Sequence, residues 1–461
     1  MHRQLIEKIT ITKLFGLYTY ELPESGTLSN AAILYGDNGV GKSTVLRLAF
    51  HLLSPAHNRG HRGELFNTYF ESLEVRLANN YTLTAKRILA DDKESPGKAS
   101  LISLSIISDG KLLAQWDYKP RNISDEAEFS IVWHEGSKVF RKERISRAVP
   151  KTVEKYGESG YLELLDKIVP KTFILNAERR LDSDSVADPS DEIELRKLMR
   201  YEEPKRLHDL VRRSREIALS QAISSASRWI SRKAVHSANR GTENVHSTYV
   251  NVLHHLVAST TAAQGDAPAP ADLLKQLSFI EQKTTQLHSY ELATPLQVGE
   301  FRKSLQARSK SKRDLAAGLL QPYIESVMNR LQAVEPIYDL VDKFVKIVND
   351  LLSDKTVKYQ VSQGFSIENT LGSPLDWTNL SSGEQQLLLL FCYVLTGRDQ
   401  PCVFMIDEPE ISLNVKWQRQ LIKALLDITE GSEIQFIFAS HSMELLAQHR
   451  NRVVKLVNNH G

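Results

Sequence analysis

The octet Gly36-Asp37-Asn38-Gly39-Val40-Gly41-Lys42-Ser43 sets a lysine and a hydroxyl directly behind a glycine-rich loop. It fits the pattern G-x-x-x-x-G-K-[ST], and each position has a reason. Glycines let the backbone turn its N–H groups toward phosphate oxygens. Lys42 can neutralise charge on the β- and γ-phosphates, and Ser43 can offer its hydroxyl to Mg²⁺. A helix starting here adds its positive N-terminal end. Gly36, Asn38, Gly39, Gly41, Lys42, Ser43 and Thr44 are the candidate nucleotide-binding residues of this stretch.

A second chemical signal is Val403-Phe404-Met405-Ile406-Asp407-Glu408, an apolar run ending in two acids. At the end of a buried strand, Asp407 can hold a magnesium ion, directly or through water. Glu408 can then orient or deprotonate an attacking water. Two further stretches are ambiguous by themselves. Leu380-Ser381-Ser382-Gly383-Glu384-Gln385-Gln386 reads as a helix start, with Ser381 or Ser382 as N-cap and an acid or amide near the third position. Phe436-Ile437-Phe438-Ala439-Ser440-His441 ends an apolar strand on a histidine, more often a structural feature than a catalytic one.

Positioning these residues requires particular elements. Ala31–Tyr35 reads as a short buried strand and Thr44–Leu53 as a helix, so the glycine loop joins a strand to a helix. Ile6–Lys13 alternates as a strand. From Ser72 to about Glu143 short alternating runs include Leu101–Ile107, Leu112–Trp116 and Phe129–Val132. Asn79-Asn80 and Asp109-Gly110 give turn signals between them, predicting an antiparallel sheet. Thr172–Leu175 is another buried strand. From about Asp191 to Asp354 the period becomes helical, interrupted by the loop Gly265–Pro270. Strands return at Val357–Val361 and Phe365–Glu368, a helix follows from Gly383, and Val403–Ile406, Gln435–Ala439 and Val453–Val457 close the chain.

Bulk properties exclude several classes. At 461 residues the chain can bury a large core and more than one unit. A net charge of +2 imposes no global field toward nucleic acid or membrane. Cys392 and Cys402 are too few for a disulfide framework or a cysteine zinc site, and both read as buried thiols. The N-terminus lacks the pattern of a signal peptide. No run is long enough to span a bilayer; Leu387–Leu395 is too short and contains Tyr393. The expectation is a cytoplasmic protein without a membrane partner.

Taken together and in this order, the four motifs resemble those of ABC ATPases. Leu380–Gln386 looks like the LSGGQ signature with Ser382 in place of its first glycine, about two dozen residues before Asp407. The resemblance implies that Ser381, Ser382, Gly383 and Glu384 bind the γ-phosphate of ATP held by another copy, and that His441 is the switch histidine. Pro409–Asn414 takes the place of the D-loop. It implies an α/β fold: an ABC-type P-loop ATPase head, with a parallel core sheet, an antiparallel side sheet and an α-helical insertion. Residues 1–185 and 355–461 would build the head and 186–354 the lobe. Glu408, His441 and Lys42 would be catalytic, Ser43 and Asp407 would hold Mg²⁺, and ATP would be hydrolysed between two heads.

More than three hundred residues separate Ser43 from Ser381, which argues against a transporter subunit. The spacing resembles the SMC, RecF and overcoming-lysogenisation-defect branch. Neither a long coiled coil nor a Cys-x-x-Cys hook is present. The sequence stops twenty residues after His441, so the TOPRIM nuclease that follows lysogenisation-defect heads is not expected. A head without its own effector resembles the PtuA-like ATPases of Septu anti-phage systems, also found in some retron modules. In Septu the partner is a separate HNH nuclease (PtuB-like). The alternatives are a RecF-like repair ATPase that binds DNA directly and a scaffold that only binds nucleotide. Basic clusters at Lys205, Arg206, Arg212, Arg213, Arg215, at Arg228, Arg232, Lys233, and at Arg302, Lys303, Arg308, Lys310, Lys312, Arg313 fit phosphate contacts or solvated helix faces. His254-His255 reads as a helix face, and the strand end at Asn176–Arg180 as either a nucleotide-facing arginine site or a salt-bridged loop. Phe15, Tyr18 and Tyr20 are candidates to stack on adenine.

Overall fold

Alternating runs, continuous apolar runs and helical periods sort this chain into two sheets, a hairpin and ten helices among the described residues. The computed structural model describes residues 4–57, 59–89, 99–120, 157–176, 181–183, 204–242, 250, 269–411 and 413–458. Phe129–Val132, Ala177–Arg180, Leu195, Leu198, His254-His255 and Ser412 lie outside them, as do the side chains of Lys205, Arg206, Arg212, Arg213 and Arg215.

In chain order the elements begin with β1 (Ile6–Leu14), β2 (Tyr18–Leu22), β3 (Ala31–Tyr35), α1 (Lys42–Leu53) and α2 (His61–Asn67). Next come β4 (Ser72–Leu77), β5 (Tyr81–Leu89), β6 (Ala99–Ser108), β7 (Lys111–Tyr118), α3 (Glu158–Ile168), β8 (Lys171–Leu175) and β9 (Leu181–Ser183). Then follow α4 (Pro204–Thr242), α5 (Pro270–His288), α6 (Gly299–Leu305), α7 (Lys310–Leu351), β10 (Lys355–Gln360), β11 (Gly364–Asn369) and α8 (Ser382–Thr396). The last are β12 (Cys402–Asp407), α9 (Val415–Ile428), β13 (Ile434–Ala439), α10 (Met443–Gln448) and β14 (Val453–Lys455).

These divide into two compact units, residues 1–197, 398–419 and 431–461 in one and 198–397 and 420–430 in the other. The first unit holds both six-stranded sheets. One is antiparallel, in the order β2-β1-β4-β5-β6-β7. Its strands alternate, burying Leu73, Val75 and Leu77 on one face, for example. Asp109 (φ 48°) and Gly110 (φ 74°) are both left-handed, as a two-residue hairpin requires. The other sheet runs β14-β3-β13-β12-β8-β9 and is parallel except for β9. Its central strands β12 and β13 are buried at every position, as expected for parallel strands covered on both faces. Helix α1 touches β5 of the antiparallel sheet and β8, β12 and β13 of the parallel one. That double contact is why Val45, Leu46, Leu48, Ala49, Phe50, Leu52 and Leu53 are all buried on one short helix.

One polar side chain also ties the sheets. Gln435 in β13 is fully buried. Its Oε1 accepts from the N–H of Ile6 (2.7 Å) and Leu5 (3.1 Å). Its Nε2 donates to the carbonyls of Ile6 (2.9 Å) and Ser29 (3.1 Å). Gln435→Leu conserves bulk and strands these backbone groups, at about 1–3 kcal/mol for each group left buried and unsatisfied. A scanning melt is expected to show the apparent Tm lowered by roughly 5–15 °C; an unchanged Tm would show the amide to be dispensable.

In the second unit α4 packs on α7, α8 and β11, and α7 packs on α5 and α6. Leu277, Ile280, Leu305, Ala317, Ile324 and Val334 lie in its core. The β10–β11 hairpin pairs with itself as a two-stranded sheet. Both cysteines are buried; burial pushes the Cys392 thiol up, and the Cys402 thiol up to about 12, so both stay protonated and unreactive. No helix among the described residues is long and apolar enough to cross a membrane.

Candidate nucleotide-binding site

The register of the parallel sheet assembles the site. Leu34 of β3 pairs with Ala439 of β13, and Ala439 pairs with Asp407 of β12. These three residues form one row at the carboxyl ends of parallel strands. The next residues leave the sheet side by side: the loop from Gly36, Ser440-His441, and Glu408. Open α/β sheets bind ligands at such a crevice. Three of the four stretches singled out in the sequence thus meet; the fourth, Leu380–Gln386, belongs to the second unit.

The glycine loop is built around its lysine. Lys42 Nζ donates to the carbonyls of Gly36 (2.7 Å) and Asp37 (2.9 Å) and is nearly buried. Gly39 (φ 85°) and Gly41 (φ 90°) take left-handed conformations. A Cβ at Gly41 would stand 2.8 Å from Leu14 Cδ2 and 3.4 Å from Phe15 Cε2, so bulk is excluded there as well. From beneath, the buried Tyr20 hydroxyl donates to the Val40 carbonyl (2.9 Å), and burial raises its pKa to about 12. Tyr20 is therefore a prop of the loop, and Tyr18 stacks on it at 5.8 Å. Phe15, 46% exposed and next to Gly41, is the aromatic ring left open to a base.

Ser43 Oγ donates to Asp407 Oδ1 at 2.7 Å, across 364 residues of sequence. Burial pushes the Asp407 carboxyl above its ordinary range. The hydrogen bond from Ser43 opposes this, the charge of Glu408 adds to it, Arg47 opposes it and Glu410 adds to it. A hydroxyl and a buried carboxylate in contact form a hard-oxygen pair suited to Mg²⁺, which prefers few protein ligands completed by phosphate and water. The described residues contain no group of three or more His, Cys, Asp or Glu that could hold a metal ion. Glu408 has φ 46°, unusual for a side-chain-bearing residue. Its N–H donates to the Ala439 carbonyl (2.8 Å), and its carbonyl accepts from Ile411 N–H (3.1 Å). These two bonds hold the turn that brings its carboxylate out of the sheet.

His441 lies between two acids, with Nδ1 3.6 Å from Glu408 Oε1 and 3.4 Å from Glu410 Oε1. Sequence reasoning placed Glu410 only within a loop and gave it no role. In the structure it is 7% exposed, and its Oε1 accepts from Ser440 Oγ (2.7 Å), His441 N–H (2.9 Å) and Ser442 N–H (3.1 Å). The available signal was an acid two residues beyond the Asp-Glu pair, next to a proline that restricts the turn.

In the second unit Ser381 caps α8 in a capping box: its Oγ accepts from Glu384 N–H, and the Glu384 carboxylate accepts from Ser381 N–H at 2.6 Å. Lys355 Nζ also donates to Glu384, at 3.1 Å. The Glu384 carboxylate is thus spent on helix geometry, while Ser381 and Ser382 are exposed and Gly383 is buried. In the 302–313 cluster Arg302 pairs with Glu281 (2.7 Å) and Lys303 with Glu300 (2.7 Å). Arg313 donates to the carbonyls of Ala307 and Arg308. Arg308, Lys310 and Lys312 are exposed. Arg228 and Arg232 are exposed, and Lys233 lies over the Trp229 ring at 5.5 Å.

A glycine loop between β3 and α1, facing an acid pair at the end of a nearby parallel strand, defines an ABC-type P-loop ATPase head with a helical insertion. The model of the family described as "AAA domain, putative AbiEii toxin, Type IV TA system" matches residues 172–447, more than half of the sequence, and the chain belongs to that family. The glycine loop precedes the matched span. The chain is also 26% identical over 110 residues to a "Putative ABC transporter ATP-binding protein" of Clostridium acetobutylicum, over 24% of this chain and 39% of that protein. It therefore spans well under two thirds of that relative's length. Among solved structures, the Smc head domain with an extended coiled coil bound to the C-terminal domain of ScpA, from Pyrococcus furiosus, aligns at 12% identity. The alignment covers 96% of this chain and 91% of that one, with a TM-score of 0.34. A second, SmcHead bound to the C-winged helix domain of ScpA, aligns at 11% identity over 96% and 92% of the two chains, also at 0.34.

Proposed function

We propose that the chain hydrolyses ATP, closes head to head with a second copy around two ATP molecules, and by opening and closing regulates a partner effector, an HNH nuclease in anti-phage defence. The observation that carries the hydrolytic part is the 2.7 Å contact of Ser43 with Asp407, with Lys42 on one side and Glu408 and His441 on the other. The family's description as a toxin of a toxin–antitoxin system supports a regulated effector role.

Lys42 exchanges loop carbonyls for β- and γ-phosphate oxygens, and the N–H groups of Gly39, Gly41 and Lys42 turn toward the same charge. Ser43 and Asp407 would hold Mg²⁺, which would supply charge neutralisation at the phosphates. The Glu408 carboxylate orients the attacking water and takes its proton. His441 senses the γ-phosphate beside it. Ser381, Ser382 and Gly383 at the start of α8 in the second copy complete the clamp. Phe15 offers its ring to adenine.

The test is co-purification with the product of the neighbouring gene, followed by mass measurement with ATP and with ADP. A complex with a small HNH protein whose mass depends on the nucleotide is the expected result. A chain that instead purifies alone and binds DNA would move the assignment to a repair ATPase of RecF or SMC type. In that case changing Arg308, Lys310 and Lys312 to Ala would flatten the salt dependence of binding.

A further inference from the structure

We propose that Glu410 is a positioning residue: its buried carboxylate sets the path of the loop bearing His441, so that the imidazole is held against Glu408 where it meets the γ-phosphate. The inference rests on the hydrolytic reading above.

The geometry is lopsided in an informative way. Glu410 Oε1 collects three donors from Ser440, His441 and Ser442. Its Oε2 is buried and has no partner among the described residues. Here all the bonds converge on one oxygen, the one that also stands 3.4 Å from His441 Nδ1. The donors are consecutive residues of the switch loop, so one oxygen sets the path of that loop's backbone.

On the other side, only Pro409 separates Glu410 from Glu408, and a proline ring fixes the backbone angle between them. Further ties join the same two segments. Ser442 Oγ donates to Gln418 Oε1 (2.8 Å), and Gln418 Nε2 donates to the Leu413 carbonyl (3.0 Å). Arg419 pairs with Glu444 at 2.8 Å. The start of α9 and the start of α10 are thereby linked through side chains, with Glu410 the buried member nearest the chemistry. The alternative is that Glu410 merely folds a loop. That predicts equal damage to stability, ATP affinity and turnover, whereas positioning predicts damage to turnover alone, acting through His441.

The experiment is a double-mutant cycle in the full chain, with phosphate release, affinity for a fluorescent ATP analogue and Tm measured on each protein. Glu410→Gln keeps the shape and an accepting oxygen but removes the charge, so the three bonds onto Oε1 lose their charge assistance. It is expected to lower kcat by about 10-fold or more with ATP affinity within about 3-fold of wild type. In a His441→Ala background the same change is expected to add less than about 2-fold, because the residue it acts through is gone. Ser440→Ala, which removes one donor to Glu410 and one acceptor of Ser442 N–H, serves where Glu410→Gln does not fold; it should lower kcat several-fold, and that loss too should vanish with His441→Ala. Multiplicative losses in the double mutants, affinity falling in step with turnover, or wild-type kcat in the single mutants would each overturn the proposal. Glu408→Gln separates the two levels. If it loses turnover while the cycle is multiplicative, the proposal alone fails. If it hydrolyses ATP at the wild-type rate, the hydrolytic reading fails and takes the proposal with it.

Discussion

Glu408→Gln is expected to reduce ATP turnover by about 10²–10⁴-fold while ATP remains bound, because a general base is removed and the binding groups are untouched. The substitution is nearly isosteric. The left-handed turn at this position is held by backbone bonds, from Glu408 N–H to Ala439 and from Ile411 N–H to Glu408, and these do not depend on the side chain. Lys42, Ser43 and Asp407 keep their contacts. The loss should therefore fall on kcat, with little change in affinity or Tm. If hydrolysis is the step that reopens a closed pair, the variant should also accumulate as an ATP-dependent dimer. Phosphate release together with light scattering after gel filtration in ATP and in ADP reads both effects. Turnover at the wild-type rate would remove Glu408 from its assigned role.

The parts of this site that were legible in the sequence are those in which residue type and local pattern agree. A glycine loop flanked by an apolar run and a helical period can be read because all three signals lie within about two dozen residues of Ala31. Asp407 is legible because a fully apolar strand has one end where charge is tolerated. The alternating strands β1 and β4 and the Asp109-Gly110 turn were visible for the same reason. The residues that were missed work across distance. Gln435 sits within an apolar run and looks like a strand residue with a polar accident; only pairing with Ile6 and Ser29 shows what its amide does. Tyr20 looked like a ring for a base, yet its hydroxyl is committed to Val40 beneath the loop. At Glu384 the capping reading was legible, since an acid three residues after Ser381 closes a capping box, while its bond from Lys355 was not. Glu410 needed the switch loop in view, thirty residues on, before its donors could be counted.

Lys42→Ala should abolish measurable ATP binding at ordinary concentrations, with affinity falling by about 10²-fold or more, equivalent to roughly 3 kcal/mol. The size follows from the lysine's double duty. As an ammonium it brings positive charge to the phosphates, and, before nucleotide enters, its donation to the Gly36 and Asp37 carbonyls keeps the loop arched for the anion. Alanine removes both functions. The carbonyls then turn their partial negative charge toward the space a phosphate must enter. Lys42→Arg should not restore binding. Its planar fork needs more room than a socket in which Lys42 is 7% exposed, and its donors cannot converge on two carbonyls set for a compact charge. A ligand at free concentration L that binds only the folded state stabilises it by RT ln(1 + L/Kd), so Tm rises with ligand concentration. Wild-type protein should therefore show an ATP-dependent Tm rise that both variants lack, with all three melting alike in its absence. An ATP-dependent rise persisting in Lys42→Ala would detach the loop from the nucleotide. Because Asp407 meets Ser43, the residue next to Lys42, it would detach the acid pair from its reaction as well.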